Sequence, residues 1–228
     1  MFSMRTSQGN FNPILILSFL ITLVLFGALS ASLDSNWLKQ IDEQLSLLMS
    51  ASPAGRTSAG VFVLVTQFGS DYVLGAVVLL VCVLLYRWGQ TPEMIGMLAV
   101  GVGAKVLEHG LKLLFQRARP ELLVPTKGFF GDYAFPSGHS LNAAAVYGFI
   151  LIVIGANVRP TFWKYLIVAA GGLLILAIGI SRVILKMHWP SDVVAGWLVA
   201  GMLLSVVVFV LSMFKGRFDV RISRAKPG

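Results

Sequence analysis

The chain has 228 residues, 57% of them hydrophobic and only 12% charged, with a net charge of +8. A soluble domain carries about 25% charged residues, so the composition excludes an ordinary water-soluble globule and points to an integral membrane protein. In that setting a basic excess marks cytoplasm-facing loops rather than nucleic-acid binding, and no nucleic-acid recognition motif accompanies it.

Residues 1–12 are polar and include Arg5; Pro13 to Ala31 is apolar and runs into "GALSAS". Small residues closing an apolar run resemble a signal-peptide end. A run of this length suits a bilayer span better, and it is read as an uncleaved first helix. Five more spans follow, giving six at about 13–31, 70–87, 93–115, 139–156, 162–182 and 191–214. Helices are expected because lipid offers no partner for backbone polar groups, and the period-two alternation of barrel strands is missing. The fold class is an all-α, six-helix membrane bundle forming a single domain over residues 1–228. Cys82, the sole cysteine, lies in an apolar run and is read as packing.

Between spans one and two, Trp37, Leu38, Ile41, Leu45 and Leu48 recur at helical spacing, with Lys39, Asp42 and Glu43 off that stripe. Residues 36–50 thus read as an amphipathic helix on the membrane surface, or as an ordinary connecting helix. "AGVFVLVTQ" is either the start of span two or a short dipping segment. In the loop before span four, Phe129, Phe130, Tyr133 and Phe135 suit a membrane interface. The basic tail "KGRFDVRISRAKPG" reads as flexible.

Three clusters of polar residues fall at span ends. Span three ends in "KLLFQRARP", span four opens on "PSGH", and spans five and six are joined by "SRVILKMHWPSD". With alternating spans, all of them lie on one face of the membrane. Cations beside a helix N-terminus form an anion site; arginine suits bidentate contact with phosphate and lysine acts as a point charge. His188 and Asp192 are four residues apart on one helix face, where a carboxylate can fix the histidine's tautomer and raise its basicity. A histidine so activated is a nucleophile toward phosphorus, leaving His139 as the acid for the departing oxygen. Pro136 starts a turn, Gly138 lets backbone N–H groups approach an oxyanion, and Ser137 adds a hydroxyl.

These three stretches resemble the three-part signature of the phosphatidic acid phosphatase type 2 superfamily: K-x6-R-P, P-S-G-H and S-R-x5-H-x3-D. Every defined position matches, in order, between Lys112 and Asp192. The resemblance implies that Lys112, Arg119, Ser137, Gly138, His139 and Arg182 hold phosphate. It implies that His188 attacks in line to form a phosphohistidine, supported by Asp192, while His139 protonates the leaving group. No cofactor or metal is implied. The set has one carboxylate and no acidic cluster of the kind Mg²⁺ prefers, and three cations would repel a zinc ion. Arg117 falls outside the pattern and is assigned to the interface or to lipid head groups. Trp189 reads as an interface anchor and Pro190 as a residue of a first helical turn.

Span three also carries Lys105, Glu108, His109 and Lys112 on one face. Ionisable residues inside a span usually face the protein interior and function there. Glu108 is expected to pair with Lys112 or Lys105 and position Lys112 from behind, or else to form a structural ion pair between helices. His109 reads as structural.

Basic residues orient the chain. Arg5, Arg87, Arg159, Lys164, Lys215, Arg217, Arg221, Arg224 and Lys226 fall on one side; setting aside the site cations, Lys39, Arg56, Arg117, Lys127 and Lys186 fall on the other. The richer side faces the cytoplasm, so both termini are expected inside and the site outside a bacterial-type inner membrane. The expected activity is a membrane lipid phosphate phosphatase. Its candidate substrates are phosphatidylglycerol phosphate, phosphatidate, undecaprenyl diphosphate or a lipid A phosphate. The rivals are a lipid phosphotransferase using the same phosphohistidine, and a non-catalytic anion-binding or transport protein. Oligomeric state leaves no mark in the sequence.

Overall fold

A computed structural model describes residues 13–51, 59–120 and 133–224, with side chains described as far as Met213. All regular elements among them are helices: α1 (Pro13–Ala31), α2 (Asn36–Ala51), α3 (Ala59–Gln67), α4 (Asp71–Arg87), α5 (Thr91–Phe115), α6 (Gly138–Asn157), α7 (Phe162–Ile184) and α8 (Pro190–Arg224). Six stretches are long and apolar enough to cross a membrane: α1, Gly60–Arg87, α5, α6, α7 and Pro190–Met213. The second of these combines α3 and α4 across a turn at Phe68–Ser70, so "AGVFVLVTQ" belongs with span two. Residues 52–58 lie outside the described residues, as do Phe129 and Phe130.

The helix ends follow from local chemistry. Pro92 sits in the first turn of α5, where its missing N–H costs nothing. The same helix stops at Gln116, which turns left-handed at φ 45° and donates its N–H to Lys112 O. The chain then leaves the helix axis through Arg117–Arg119. At the opposite end of the bundle, Lys164 Nζ donates to Gly155 O (2.6 Å) and Val158 O (2.8 Å), capping the C-terminal carbonyls of α6. Five residues join α7 to α8. Lys186 is left-handed (φ 54°), and the N–H groups of Met187 and His188 both return to Arg182 O.

α8 is the central helix, packed along α1, α6 and α5. It meets α6 backbone to backbone at Gly196, where a β-carbon would lie 2.9 Å from Ser137 O. Met97, Val100, Leu141, Phe149 and Val199 are fully buried between these helices, while Leu17, Val24, Leu79, Val106 and Leu173 face outward. An apolar exterior of this extent suits a lipid solvent.

One expectation is corrected. Phe135 is a core residue rather than an interface anchor: it is fully buried, stacked on Phe26 (5.8 Å) and edge-on to Phe115 (4.9 Å). An aromatic ring beside a tightly packed turn gains more from burial among rings than from the interface. The basic tail is helical as far as Arg224, and residues 225–228 lie outside the described residues. Only Gly216 opposes helix there, and the first proline is Pro227.

Candidate active site

The C-terminal ends of α5 and α7 and the N-terminal ends of α6 and α8 meet at one end of the bundle. His188 is the centre of the cluster. It is 2% exposed, and its pKa is held well below the ordinary histidine value, first by burial and then by the charges of Arg182, Arg119 and Lys112. A hydrogen bond to the Ala134 backbone works weakly the other way. His188 Nδ1 lies 3.5 Å from Asp192 Oδ2, at ion-pair range but too long for a hydrogen bond. Asp192 is itself fixed: Oδ2 accepts from Trp189 N (2.9 Å), and its backbone carbonyl accepts from Ser137 N (3.0 Å). That last bond ties the start of α8 to the "PSGH" turn.

Arg119 Nη1 donates to Met187 O at 3.0 Å, which holds the exit of α5 against the α7–α8 turn. Arg182 Nη1 donates to Thr66 Oγ1 at 2.9 Å, and its buried Nε has no hydrogen-bond partner among the described residues. Ser137 is buried, and its hydroxyl accepts from Ser140 Oγ at 2.9 Å. Gly69, in the turn between α3 and α4, lies beside the His139 side chain. The eight expected site residues, Lys112, Arg119, Ser137, Gly138, His139, Arg182, His188 and Asp192, are therefore at this end of the molecule.

The expected pairing in α5 is present twice. Lys112 Nζ donates to Glu108 Oε1 (2.8 Å), and Lys105 Nζ donates to Glu108 Oε2 (2.9 Å). Both pairs lie within one helix. The link between helices comes from Asn142 of α6, whose Nδ2 donates to Glu108 Oε2 at 2.7 Å. Asp71 of α4 accepts from Lys105 as well. His109 Nδ1 lies 2.8 Å from Lys105 O, consistent with a structural residue.

Four residues escaped the sequence reading: Asp42, Arg117, Asn142 and Thr66. Arg117 is no interface residue. Nη1 donates to Asp192 Oδ1 (2.6 Å) and Ser191 Oγ (2.7 Å), and Nη2 donates to Asp42 Oδ2 (2.7 Å). Its reassignment has a physical cause: two buried carboxylates offer a guanidinium complementary charge and hydrogen bonds together. Trp189, expected at the interface, lies under Arg117, with the guanidinium carbon 5.9 Å from the ring centroid. Its Nε1 donates to Ala118 O (3.3 Å). A cavity of about 730 Å³ opens alongside, between Asp34, Lys39, Glu43, Arg117 and Arg119. Among the described residues no three His, Cys, Asp or Glu side chains are grouped to hold a metal ion.

A helical membrane bundle with a buried histidine among arginine and lysine side chains defines a class of membrane protein built to handle an anion at one face. The particular family follows from comparison. The family model of the PAP2 superfamily matches residues 92–216, and the chain belongs to that superfamily. Among curated proteins, phosphatidylglycerophosphatase B of Bacillus subtilis is 29% identical over 206 residues, covering 87% of this chain and 93% of the relative. Undecaprenyl-diphosphatase of Sulfolobus acidocaldarius is 27% identical over 146 residues, covering 62% of this chain and 65% of the relative. The crystal structure of a transmembrane PAP2-type phosphatidylglycerolphosphate phosphatase from Bacillus subtilis superposes with a TM-score of 0.71 at 25% identity, over 92% of this chain and 99% of that one. Aquifex aeolicus LpxE shares the fold at a TM-score of 0.53 and 22% identity, over 72% of this chain and 92% of that one.

Proposed function

We propose that the protein is a metal-independent phosphatase of membrane lipid phosphates, acting through a phosphohistidine on His188. The observation that carries this reading is His188 itself: buried, kept neutral by Arg182, Arg119 and Lys112, and flanked by the Asp192 carboxylate. A neutral imidazole has the free lone pair that a cationic one lacks, and the same three cations are those a phosphoryl group would bind.

In the proposed reaction, Lys112, Arg119, Arg182 and the Ser137–Gly138 turn hold the phosphoryl oxygens. The His188 ring nitrogen remote from Asp192 attacks phosphorus in line, and the bond from phosphorus to the lipid oxygen breaks. His139, which carries a proton once the phosphate dianion sits beside it, gives that proton to the oxygen. Water then attacks the phosphohistidine, His139 takes its proton, and phosphate leaves with His188 restored. Asp192 steadies the imidazole as it gains charge. Acid–base assistance of this kind contributes about 10²–10⁴-fold.

The lipid assignment rests on the site's position at the end of membrane-spanning helices and on the names of the relatives. Phosphatidylglycerol phosphate and undecaprenyl diphosphate lead the candidate substrates for that reason; phosphatidate and a lipid A phosphate remain in the panel. The basic-residue count supports cytoplasmic termini and an outward-facing site in a bacterial inner membrane. Arg117 joins the site cations, which widens the imbalance. The chain is proposed to act as a single catalytic domain.

The test is phosphate release from that panel by purified protein in detergent with EDTA, beside His188→Ala. Release that survives EDTA and vanishes in the variant is expected. Transfer to a lipid acceptor with little free phosphate would indicate a phosphotransferase, and equal release by variant and wild type would overturn the nucleophile.

A further inference from the structure

Asp42 is the anomaly of α2. The helix turns Trp37, Ile41, Leu45 and Leu48 outward, all more than 40% exposed, yet its aspartate is 1% exposed and points into the protein. There Oδ1 accepts from Ser191 N (3.0 Å), and Oδ2 accepts from Ser191 Oγ (2.5 Å) and Arg117 Nη2 (2.7 Å). The other arm of Arg117 holds Asp192 Oδ1. A continuous set of bonds, part-buried at Arg117, therefore runs from Asp42 through Arg117 to Asp192, whose second oxygen faces His188. Asp42 lies outside the stretch that matches the family model.

We infer that Asp42 is a positioning residue for the reaction, setting the charge and place of Asp192 through Arg117. The inference rests on the phosphohistidine reading above. Arg117 stands between two carboxylates and is shared by them. With Asp42 ionised, the group of three carries a net negative charge, and Asp192 keeps enough of it to favour a positive imidazole. Neutralising Asp42 leaves the guanidinium wholly to Asp192. The carboxylate is then more fully compensated, His188 becomes less basic, and the charge formed on it during attack is less well stabilised. The phosphate-holding cations are not in this chain of bonds, so ground-state binding of substrate should change little. The outward apolar face of α2 suits a membrane surface, so the interfacial helix becomes part of the catalytic apparatus rather than a connector.

The experiment compares Asp42→Asn, Arg117→Lys and the double variant, each as full-length protein taken from the monodisperse fraction in detergent, with His188→Ala alongside. The lipid phosphate most active in the panel is the substrate, and kcat and KM are measured from pH 4 to 9. The asparagine keeps one acceptor oxygen for Ser191 N–H and loses the charge together with the acceptor that faced Arg117 Nη2. About a tenfold loss of kcat with KM within twofold is expected, with the acid limb of kcat moved to lower pH. The double variant should lose no more than the worse single one, because both act through the same link. If Asp42→Asn yields no monodisperse protein, Arg117→Lys decides by the same kcat and KM criteria. Wild-type kcat in the variants, a change confined to KM, or multiplicative losses would overturn the inference. Those outcomes with an inactive His188→Ala would sink only the role of Asp42. An active His188→Ala would remove the mechanism on which it rests.

Discussion

The carboxylate of Glu108 lies directly against the α-carbon of Gly138: a β-carbon at that position would sit 1.9 Å from Oε1. One side chain of α5 thus sits under the turn that begins α6 while gripping Lys112 at 2.8 Å. Three of the expected phosphate-holding and positioning features are built on one contact.

Gly138→Ala should therefore be harmful beyond its size. The new methyl must displace a carboxylate held by Lys112, Lys105 and Asn142. Overpacking of this kind costs about 1–3 kcal/mol. A lower midpoint of thermal unfolding and a fall in kcat/KM of at least tenfold are expected together.

Glu108→Gln keeps the shape and removes the charge. Breaking a buried pair by removing one partner costs about 3–5 kcal/mol; here Lys112 loses the Glu108 charge, while Lys105 keeps Asp71. Activity should fall by roughly ten- to a hundredfold, an effect of about 1.4–2.7 kcal/mol on the barrier. Lys105→Gln should do less, because Lys105 is part-exposed and its loss leaves the Glu108–Lys112 pair in place. Steady-state kinetics with the best lipid substrate would decide, and unchanged activity in Glu108→Gln would end the positioning role.

His139→Asn should separate the two halves of the reaction. Loss of the proposed general acid is expected to lower kcat by about 10²–10⁴-fold on a lipid alkoxide leaving group. A phosphate ester of an acidic phenol needs no proton on departure, and its first step should be nearly unaffected. Rapid-quench measurement of acid-labile phosphoenzyme would show the intermediate forming from the phenol ester and accumulating only weakly from the lipid.

The depressed pKa of His188 has a consequence for stability. Unfolded, the histidine titrates near 6.5; folded, it stays neutral well below that. In this window the unfolded state binds the additional proton. Stability is therefore unaffected above about pH 6.5 and falls as the pH drops below it, by about 1.4 kcal/mol per unit from this group. Thermal unfolding in detergent between pH 7.5 and 5 should show the decline, and His188→Gln should flatten it.

Much of the fold was legible because lipid leaves the chain few options. Apolar runs of span length predict helices at α1, α5, α6, α7 and α8, and those helices are present. The placement of Lys112, Arg119, His139, Arg182, His188 and Asp192 is likewise legible, because alternating spans bring the C-terminal end of one helix and the N-terminal end of the next to one level. Asn142 was hidden in "SLNAAAV" because a single asparagine in a span has no partner visible along the sequence. Arg117 was hidden because four residues of non-helical chain separate Phe115 from Pro120 and carry no periodicity to say where each side chain turns.

What the sequence determined by itself is the architecture and the candidate site residues: composition dictates the solvent, and span length with motif spacing dictates the residues that share a face. What only the tertiary structure decided is which charges meet. Asp42 reads as part of a wet helix face because periodicity separates apolar from polar positions without saying which side meets the protein. In the folded chain Trp37, Ile41, Leu45 and Leu48 turn outward, while Leu38 and the aspartate turn inward, the aspartate buried against Arg117 and Ser191. That inversion depends on partners 75 and 149 residues away, and hydrogen bonds over such separations leave no local pattern to read.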